Sequence, residues 1–310
     1  MLSLEKCNLC PRECKVNRFS GVGYCGMPAD LKLARAMIHE GEEPCLLPAG
    51  AVFFSGCNLR CVFCQNYEIS LEHKGFPVAE ERLQKILLEL QEAGASVIDL
   101  VTPTPWILQI RNVLKNLRSS GLLKISVVYN CGGYESVHAL QALDGLVDVY
   151  MPDLKYFDAS LSKRYSSASD YFEVCSKALD EMFRQVGPVQ FAGPANEERK
   201  DKQPSSASAG RMVRGLLIRH LVLPGQMKDS VRLMEYLGKA FPKGSIRISL
   251  LAQYTPYGKL EDYPELQRRV TTYEYEKVVE AADRAGLLGY RQFRSSATMD
   301  LRPSFEGEGL

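Results

Sequence analysis

The stretch AVFFSGCNLRCVFCQN, residues 51–66, joins a short apolar run to a loop that contains three cysteines. Cys57, Cys61 and Cys64 are separated by three and two residues. A closed zinc site takes four ligands, and an ordinary four-iron cluster takes four thiolates. Three thiols directly after a strand therefore favour an iron–sulfur cluster with one iron open to a non-protein ligand, over a zinc site completed by a distant residue. We call residues 55–66 the cysteine loop.

Strand patterns alternate with helical patterns along most of the chain. Six segments read as strands, because β-branched and aromatic residues are bounded by Gly and Pro: 51–56, 96–105, 124–130, 146–155, 215–225 and 245–256. Such alternation implies right-handed βαβ units around a parallel sheet. The predicted fold class is α/β: a partial (β/α)6 barrel of the triosephosphate isomerase (TIM) type with a cysteine-rich N-terminal extension. Active groups in such barrels lie at the carboxyl ends of the strands, where the cysteine loop stands.

The helical segments carry their own boundary signals. Apolar residues at helical spacing predict one buried face between residues 83 and 90 and another between 107 and 117. Thr271 and Glu274 stand three residues apart, as in a capping box, and predict the start of the last helix.

The domain boundaries follow from composition. Residues 1–48 are a cysteine-rich extension with a predicted metal site, 49–290 hold the barrel, and 291–310 are a C-terminal tail. Residues 193–210 are rich in Ser, Pro and charge, and we expect a disordered insertion in the barrel there.

Composition excludes several classes of protein. The 310 residues include 38 Lys and Arg against 37 Asp and Glu, a net charge of +1, which favours neither a nucleic-acid nor a membrane partner. The apolar runs are too short to cross a bilayer, and the start MLSLEKCNLC lacks the apolar core of a signal peptide. We therefore expect a cytoplasmic protein.

Seven of the ten cysteines fall into two groups, which in a reducing compartment indicates metal binding rather than disulfides. The first group, which we call the N-terminal quartet, has gaps of two, three and ten residues and consists of Cys7, Cys10, Cys14 and Cys25. Four thiols suffice for a zinc ion or for a second iron–sulfur cluster, and sequence does not separate the two. The remaining cysteines read as small buried side chains: Cys45, Cys131 and Cys175.

Polar residues near the predicted strand ends are the other site candidates. Asp153 and Lys155, two apart in PDLKY, point to the same face of a strand. If that face lines the barrel, both charges are buried and need partners. His220, in the fifth predicted strand, is also expected at the barrel mouth, although a packed structural histidine is the alternative.

The chain resembles the radical S-adenosylmethionine (SAM) superfamily, in particular uncharacterised relatives of pyruvate formate-lyase activating enzyme. The stretches that carry the resemblance are CNLCPRECKVNR, FFSGCNLRCVFCQNYEIS, VTPT, DVYMPDLKY and GLLIRHLVLPG. The resemblance implies a 4Fe–4S cluster on the cysteine loop, with SAM on the open iron. It also implies reductive cleavage of SAM to a 5′-deoxyadenosyl radical, which abstracts hydrogen from a substrate.

The resemblance assigns further cofactor-binding roles residue by residue. Phe63, the aromatic before the third cysteine, is expected near the adenine, and Asn130 matches an Asn of the activating enzymes. Asp153 and Lys155 match an Asp-x-Lys element that contacts SAM. The activating enzymes also carry a Gly-Gly-Glu element that binds the SAM amine, whereas this chain reads TPTP there. Thr102, with Thr104 beside it, is the candidate by position.

The resemblance also suggests what the enzyme acts on. The first hypothesis is a glycyl-radical activase, whose substrate is a glycine of a partner protein. The alternative is a radical SAM enzyme that modifies another peptide, an amino acid or a small molecule, and a non-enzymatic metal or cluster carrier comes last. The family implies an electron donor such as flavodoxin or ferredoxin.

Overall fold

The computed structural model describes residues 1–193, 210–258, 260–292 and 304–310. Its strands are β1 (Lys32–His39), β2 (Ala49–Phe54), β3 (Phe76–Pro77), β4 (Val97–Val101), β5 (Ser126–Cys131), β6 (Val149–Pro152), β7 (Gln190–Ala192), β8 (Arg211–Leu221), β9 (Arg247–Leu251) and β10 (Gly289–Arg291). Its helices are α1 (Tyr67–Ser70), α2 (Glu80–Glu92), α3 (Ile107–Ser119), α4 (Val137–Gln141), α5 (Ala159–Ser166), α6 (Tyr171–Val186), α7 (Met227–Ala240) and α8 (Thr272–Arg284).

The described strands form one sheet in the order β10-β9-β8-β6-β5-β4-β2-β1-β3, with β7 beside β8. All pairs from β2 to β10 along this path are parallel, so the six predicted strands are confirmed and β10 adds a seventh. β1 runs antiparallel to β2, so part of the N-terminal segment belongs to the sheet. The result is a partial TIM-type barrel.

The two faces of the sheet have different neighbours. Residues such as Ile98, Leu100 and Val127 pack against the apolar faces of α2 and α3, which include Leu83 and Leu87. On the inner face, a small apolar cluster around Val97, Val128, Val149, Met151 and Leu217 fills the base of the barrel lumen together with Cys45 and Leu46. The carboxyl ends of the parallel strands lie above that cluster. The lone cysteines Cys45, Cys131 and Cys175 are all buried, as expected.

The C-terminal residues 304–310 pack against β1 and β2. Phe305 is buried, its ring centroid lying 5.5 Å from that of Phe53, and the Ala36 N–H donates to the Glu308 carbonyl oxygen. Apart from its two end residues, the predicted insertion at 193–210 lies outside the described residues. None of the helices that the structure describes is long and apolar enough to cross a membrane.

The capping box predicted for the last helix is present and gives a stability prediction. The Thr271 hydroxyl accepts from the Glu274 N–H, and Glu274 accepts from the Thr271 N–H at 2.8 Å. Loss of an N-cap acceptor leaves a helix N–H unpaired, so we expect Thr271→Ala to lower the free energy of unfolding by about 1 kcal/mol. Denaturant unfolding measures this, with Glu276→Ala on the exposed face of α8 as the control. Equal midpoints for the two variants would contradict the prediction.

Candidate active site at the cysteine loop

The cysteine loop leaves the carboxyl end of β2 and is fixed by its own backbone. The Gly56 N–H donates to the Ile69 carbonyl oxygen at 2.8 Å. The Arg60 and Val62 N–H groups donate to the carbonyl oxygens of Ser166 and Tyr165 at the end of α5. These backbone hydrogen bonds tie the loop to α1 and to the end of α5 at the carboxyl end of β2.

Each of the three loop thiols has a hydrogen-bond partner. The Leu59 N–H donates to Cys57 Sγ at 3.4 Å, the Ser166 hydroxyl donates to Cys61 Sγ at 3.0 Å, and Cys64 Sγ lies 3.2 Å from the Ser70 hydroxyl. Burial raises the pKa of the Cys57 thiol and raises that of Cys64 to about 11. Without a bound cation the Cys57 and Cys64 thiols stay protonated at neutral pH, whereas a metal centre would draw them into the thiolate form.

Lys155 and Asp153, just beyond the end of β6, form an ion pair near the cysteine loop. Lys155 Nζ is 2.6 Å from Asp153 Oδ2. Burial alone would lower the pKa of Lys155, but the charge of Asp153 outweighs it, and the pKa is raised. The site thus presents a permanent cation and a carboxylate next to the thiols, a pair that suits a zwitterionic amino acid group.

A polar network continues from Asp153 into the lumen. Arg219 on β8 donates to Asp153 Oδ1 at 3.2 Å and to Asn130 Oδ1 at 2.6 Å. Asn130 in turn donates to Asp99 Oδ2 on β4 at 3.1 Å. Asn130 is therefore close to the predicted site, but protein partners hold its amide.

The lumen holds more carboxylates than cations. Glu42 pairs with Arg219 at 3.4 Å, while the described part of the chain offers no hydrogen-bond partner to the buried oxygens Asp99 Oδ1 and Glu43 Oε2. Burial raises the pKa of Glu43 to about 7 and raises that of Asp99 well above its ordinary value. Proton uptake by these acids reduces the excess negative charge around Arg219.

Phe63 and the threonines of the TPTP stretch occupy the same end of the barrel. Phe63 is buried and meets the Tyr254 ring edge to face, with centroids 6.2 Å apart. Thr102 has a φ of +61°, which is strained for a β-branched residue, and its N–H donates to the Asn130 carbonyl oxygen. The Thr104 hydroxyl already has a protein partner, because it donates to buried Glu135 at 2.6 Å.

His220 does not reach the barrel lumen, so its expected place at the mouth is wrong. Its Nδ1–H donates to the Leu154 carbonyl oxygen at 2.6 Å, and its Nε2 accepts from the Ser230 hydroxyl on α7 at 2.9 Å. Side chains alternate along a strand, and Arg219 takes the inward position, so His220 must face the helices. The histidine is a buried hydrogen-bonding residue between sheet and helix.

This position makes His220 sensitive to pH. Burial lowers its pKa to about 4, below the value of about 6.5 expected in the unfolded chain. The unfolded state takes up the proton first, so stability is retained above pH 6.5 and lost as the pH falls toward 4. We expect the His220 contribution to fall by about 2 kcal/mol between pH 7.5 and pH 5. His220→Asn keeps a donor toward Leu154 without titrating, and unfolding curves at several pH values compare the two proteins. Parallel curves would contradict the prediction.

Several charged residues of the site were not predicted from the sequence. Asp99 and Arg219 lie inside the structure in strands that otherwise read as apolar, whereas buried Glu43 and Glu135 stand in polar loops. A charged residue in the middle of an apolar strand was the available signal, as at Arg219 in GLLIRHLVLPG.

The N-terminal quartet gathers at a second place, against the cysteine loop. Its four cysteines line one small cavity that is also lined by Arg18, Asn58 and Thr104. Among the residues that the structure describes, no group of three or more His, Cys, Asp or Glu side chains is arranged to hold a single metal ion. A cluster needs a wider arrangement, because an iron atom stands between each cysteine sulfur and the cluster centre.

The sequence matches a known protein family and a curated protein. The model described as the radical SAM superfamily matches residues 51–200. The uncharacterized protein MJ0674 of Methanocaldococcus jannaschii is 27% identical over 292 residues, which cover 91% of this chain and 76% of that protein.

Solved structures resemble the fold. HydG, a maturase of the FeFe-hydrogenase, matches with a TM-score of 0.50 and 12% identity, over 81% of this chain and 53% of HydG. SuiB of Streptococcus suis, bound to the precursor peptide SuiA, matches with a TM-score of 0.49 and 13% identity, over 76% of this chain and 46% of SuiB. The chain thus spans about half the length of these structures, and at such identities the likeness concerns the fold alone. The match to the radical SAM superfamily model covers the part of the chain that carries the cysteine loop and the first strands of the partial barrel, so the chain is similar to that superfamily over residues 51–200.

Proposed function

We propose that the cysteine loop holds the 4Fe–4S cluster of this radical SAM enzyme through Cys57, Cys61 and Cys64. The observation that carries the proposal is the set of three hydrogen-bonded thiols at the carboxyl end of β2, beside the Lys155–Asp153 pair. Thiolates are the usual ligands of such clusters, so the donor set fits. When bound, the cluster supplies the electron for reductive cleavage of SAM, which yields the 5′-deoxyadenosyl radical.

Residues around the loop would bind and orient SAM. Lys155 would pair with the carboxylate of the methionine group, and Asp153 would accept from its amine or from the ribose hydroxyls. Phe63 would lie against the adenine, and the strained Thr102 would offer its hydroxyl where the activating enzymes have Gly-Gly-Glu. His220 is excluded from this set, because both ring nitrogens already have protein partners.

The proposed substrate is a glycine of a partner protein, from which the enzyme abstracts a hydrogen atom. The support is the resemblance of the PDLKY and cysteine-loop stretches to the activating enzymes. The same site would act on another peptide or a small molecule if the substrate were different, so the test must separate cleavage of SAM from the substrate step.

The test starts from anaerobically reconstituted protein, a one-electron reductant and SAM. Formation of 5′-deoxyadenosine is expected with the wild type and not with Lys155→Met, because the pairing cation for SAM is lost. Adding a candidate glycyl-radical protein should produce a glycyl signal in electron paramagnetic resonance (EPR). The nucleoside without that signal would overturn the substrate proposal, and no nucleoside from the wild type would overturn the function.

We further propose that the N-terminal quartet binds a metal centre, either zinc or a second iron–sulfur cluster. The support is the convergence of its four cysteines on one cavity. Metal analysis of the wild type against a variant with all four cysteines replaced by serine tests this. The variant should lose one zinc or about four irons relative to the wild type, and equal metal contents would contradict the proposal.

A further inference from the structure

Backbone N–H groups near the quartet offset part of the cost of burying charge on its thiols. Burial raises the pKa of the Cys7, Cys10 and Cys25 thiols, and the backbone N–H two residues further on, that of Leu9, Arg12 or Met27, opposes the rise in each case. The cysteine loop repeats the pattern at Cys57 with Leu59 and at Cys64 with Asn66. Hydrogen bonds to cysteine sulfur stabilise negative charge there and tune the potential of a bound cluster.

The quartet lies directly against the cysteine loop. Asn58 lines the quartet cavity, and its Oδ1 is 4.0 Å from Cys57 Sγ. A Cβ added at Gly56, whose φ is +83°, would stand 3.0 Å from the Cys25 carbonyl oxygen, so the two backbones touch at a position that needs glycine. A single residue therefore separates the cavity from the first loop thiol.

Side chains of the N-terminal segment and of the cysteine loop contact each other where the two segments meet. Arg12 Nε donates to the Asn58 carbonyl oxygen at 2.9 Å, and Arg60 donates to the Tyr24 carbonyl oxygen. Both guanidinium groups lie over the Tyr24 ring, at 4.3 and 4.8 Å from its centroid. Fixed contacts of this kind keep the distance between the two cysteine groups constant.

The extension does not depend on a metal ion to hold it in place. Arg18 is 1% exposed and donates to the carbonyl oxygens of Pro28 and Pro105, with its guanidinium over Trp106. β1 is also part of the main sheet. A metal ion that only held the extension in place would add little stability beyond these contacts, so a redox role is favoured for the thiols.

The four cysteines of the quartet lie at different depths below the protein surface. Cys7 and Cys25 are buried, whereas Cys10 and Cys14 are partly exposed. Phe19 and Val22, between Cys14 and Cys25 in sequence, are 68% and 57% exposed, an apolar surface for a protein partner. One face of the quartet is thus open to an electron donor and the other touches the cysteine loop.

We propose that the N-terminal quartet holds a second 4Fe–4S cluster that relays electrons from a protein donor to the cluster of the cysteine loop. The relay rests on the proposed function of that loop. The reduced donor gives one electron to the quartet cluster, which passes it to the loop cluster and returns to its oxidised state. Electron tunnelling slows steeply with distance, so a one-residue separation favours this step.

The first experiment asks which metal the quartet holds. In a Cys57/Cys61/Cys64→Ser variant, anaerobic reconstitution with iron and sulfide should leave about four irons per chain. Dithionite should then produce the EPR signal of a reduced cluster. Zinc in place of iron, or a variant without metal, would overturn the proposal, and neither result depends on SAM cleavage.

The second experiment tests the relay in the full enzyme. For Cys10→Ser/Cys14→Ser, 5′-deoxyadenosine formation with reduced flavodoxin should fall at least about tenfold, the scale of losing a tuning partner of a metal site. With titanium(III) citrate, a small reductant that can reach the loop cluster directly, the loss should be much smaller than the loss with flavodoxin. Cys45→Ala, outside both groups, serves as the matched control. Equal losses with both reductants, or none with either, would overturn the relay, whereas an inactive wild type would instead refute the proposed function.

Discussion

Cys61→Ser is expected to abolish formation of 5′-deoxyadenosine. Cys61 is 9% exposed, and its sulfur accepts a hydrogen bond from the Ser166 hydroxyl. The backbone N–H groups of Arg60 and Val62, on either side of it, are hydrogen-bonded to the end of α5. Removing an outer-shell partner of a metal site typically costs about 10- to 100-fold, and removal of a ligand should cost at least about 1000-fold. Product analysis by chromatography and the iron content after anaerobic reconstitution measure the loss.

The control for this prediction is another buried cysteine. Cys45 lies at the base of the lumen, outside both cysteine groups, and Cys45→Ala should keep its iron and its activity. Retention of the full iron content and activity by Cys61→Ser would contradict the assignment of the loop. A loss in both variants would point to misfolding instead, which circular dichroism would show.

Arg219→Met should produce the largest loss of stability among single substitutions in the lumen. The Arg219 side chain is 18% exposed and contacts Asp153, Asn130 and Glu42, and buried acids surround it. Taking one partner from a buried ion pair costs about 3–5 kcal/mol, because the remaining charges lose their compensation. Urea unfolding of the cluster-free protein measures the change, with Arg211→Met at the exposed start of β8 as the control.

The pH dependence of this variant provides a second check. Glu43 has a folded-state pKa of about 7, raised by burial, so its contribution to stability is present at low pH and is lost as the pH rises through 7. Without Arg219 the ionised acids repel one another more strongly, so the destabilisation should be larger at pH 8 than at pH 5.5. A loss below about 1 kcal/mol, or one that is independent of pH, would show that Arg219 is not the main counter-charge of the lumen.

The sequence predicted the architecture well because each local signal agreed with the others. Apolar periodicity identified the buried faces of α2 and α3, and alternating strand and helix patterns implied the parallel sheet. The short strands β3, β7 and β10 were missed, since two or three residues are too few to show a period. β1 was missed because its residues were read as part of an irregular extension.

The site was predicted only in part. The pairing of Asp153 with Lys155 followed from a spacing of two residues along one strand. The choice between Arg219 and His220 could not be made in the same way, because adjacent residues face opposite sides and apolar neighbours cover both sides of this strand. The sequence analysis assigned the wrong one of the two to the lumen.

By itself, the order of residues predicted the three thiols of the cysteine loop and the first three of the quartet as neighbours, because only two or three residues separate them. Cys25, ten residues beyond Cys14, joins them only through the tertiary structure. Only the tertiary structure decided which charges meet in the lumen and that residues 7–25 lie against the cysteine loop. Those contacts join segments far apart in the chain, and packing of the sheet and its helices, rather than any local spacing, brings them together.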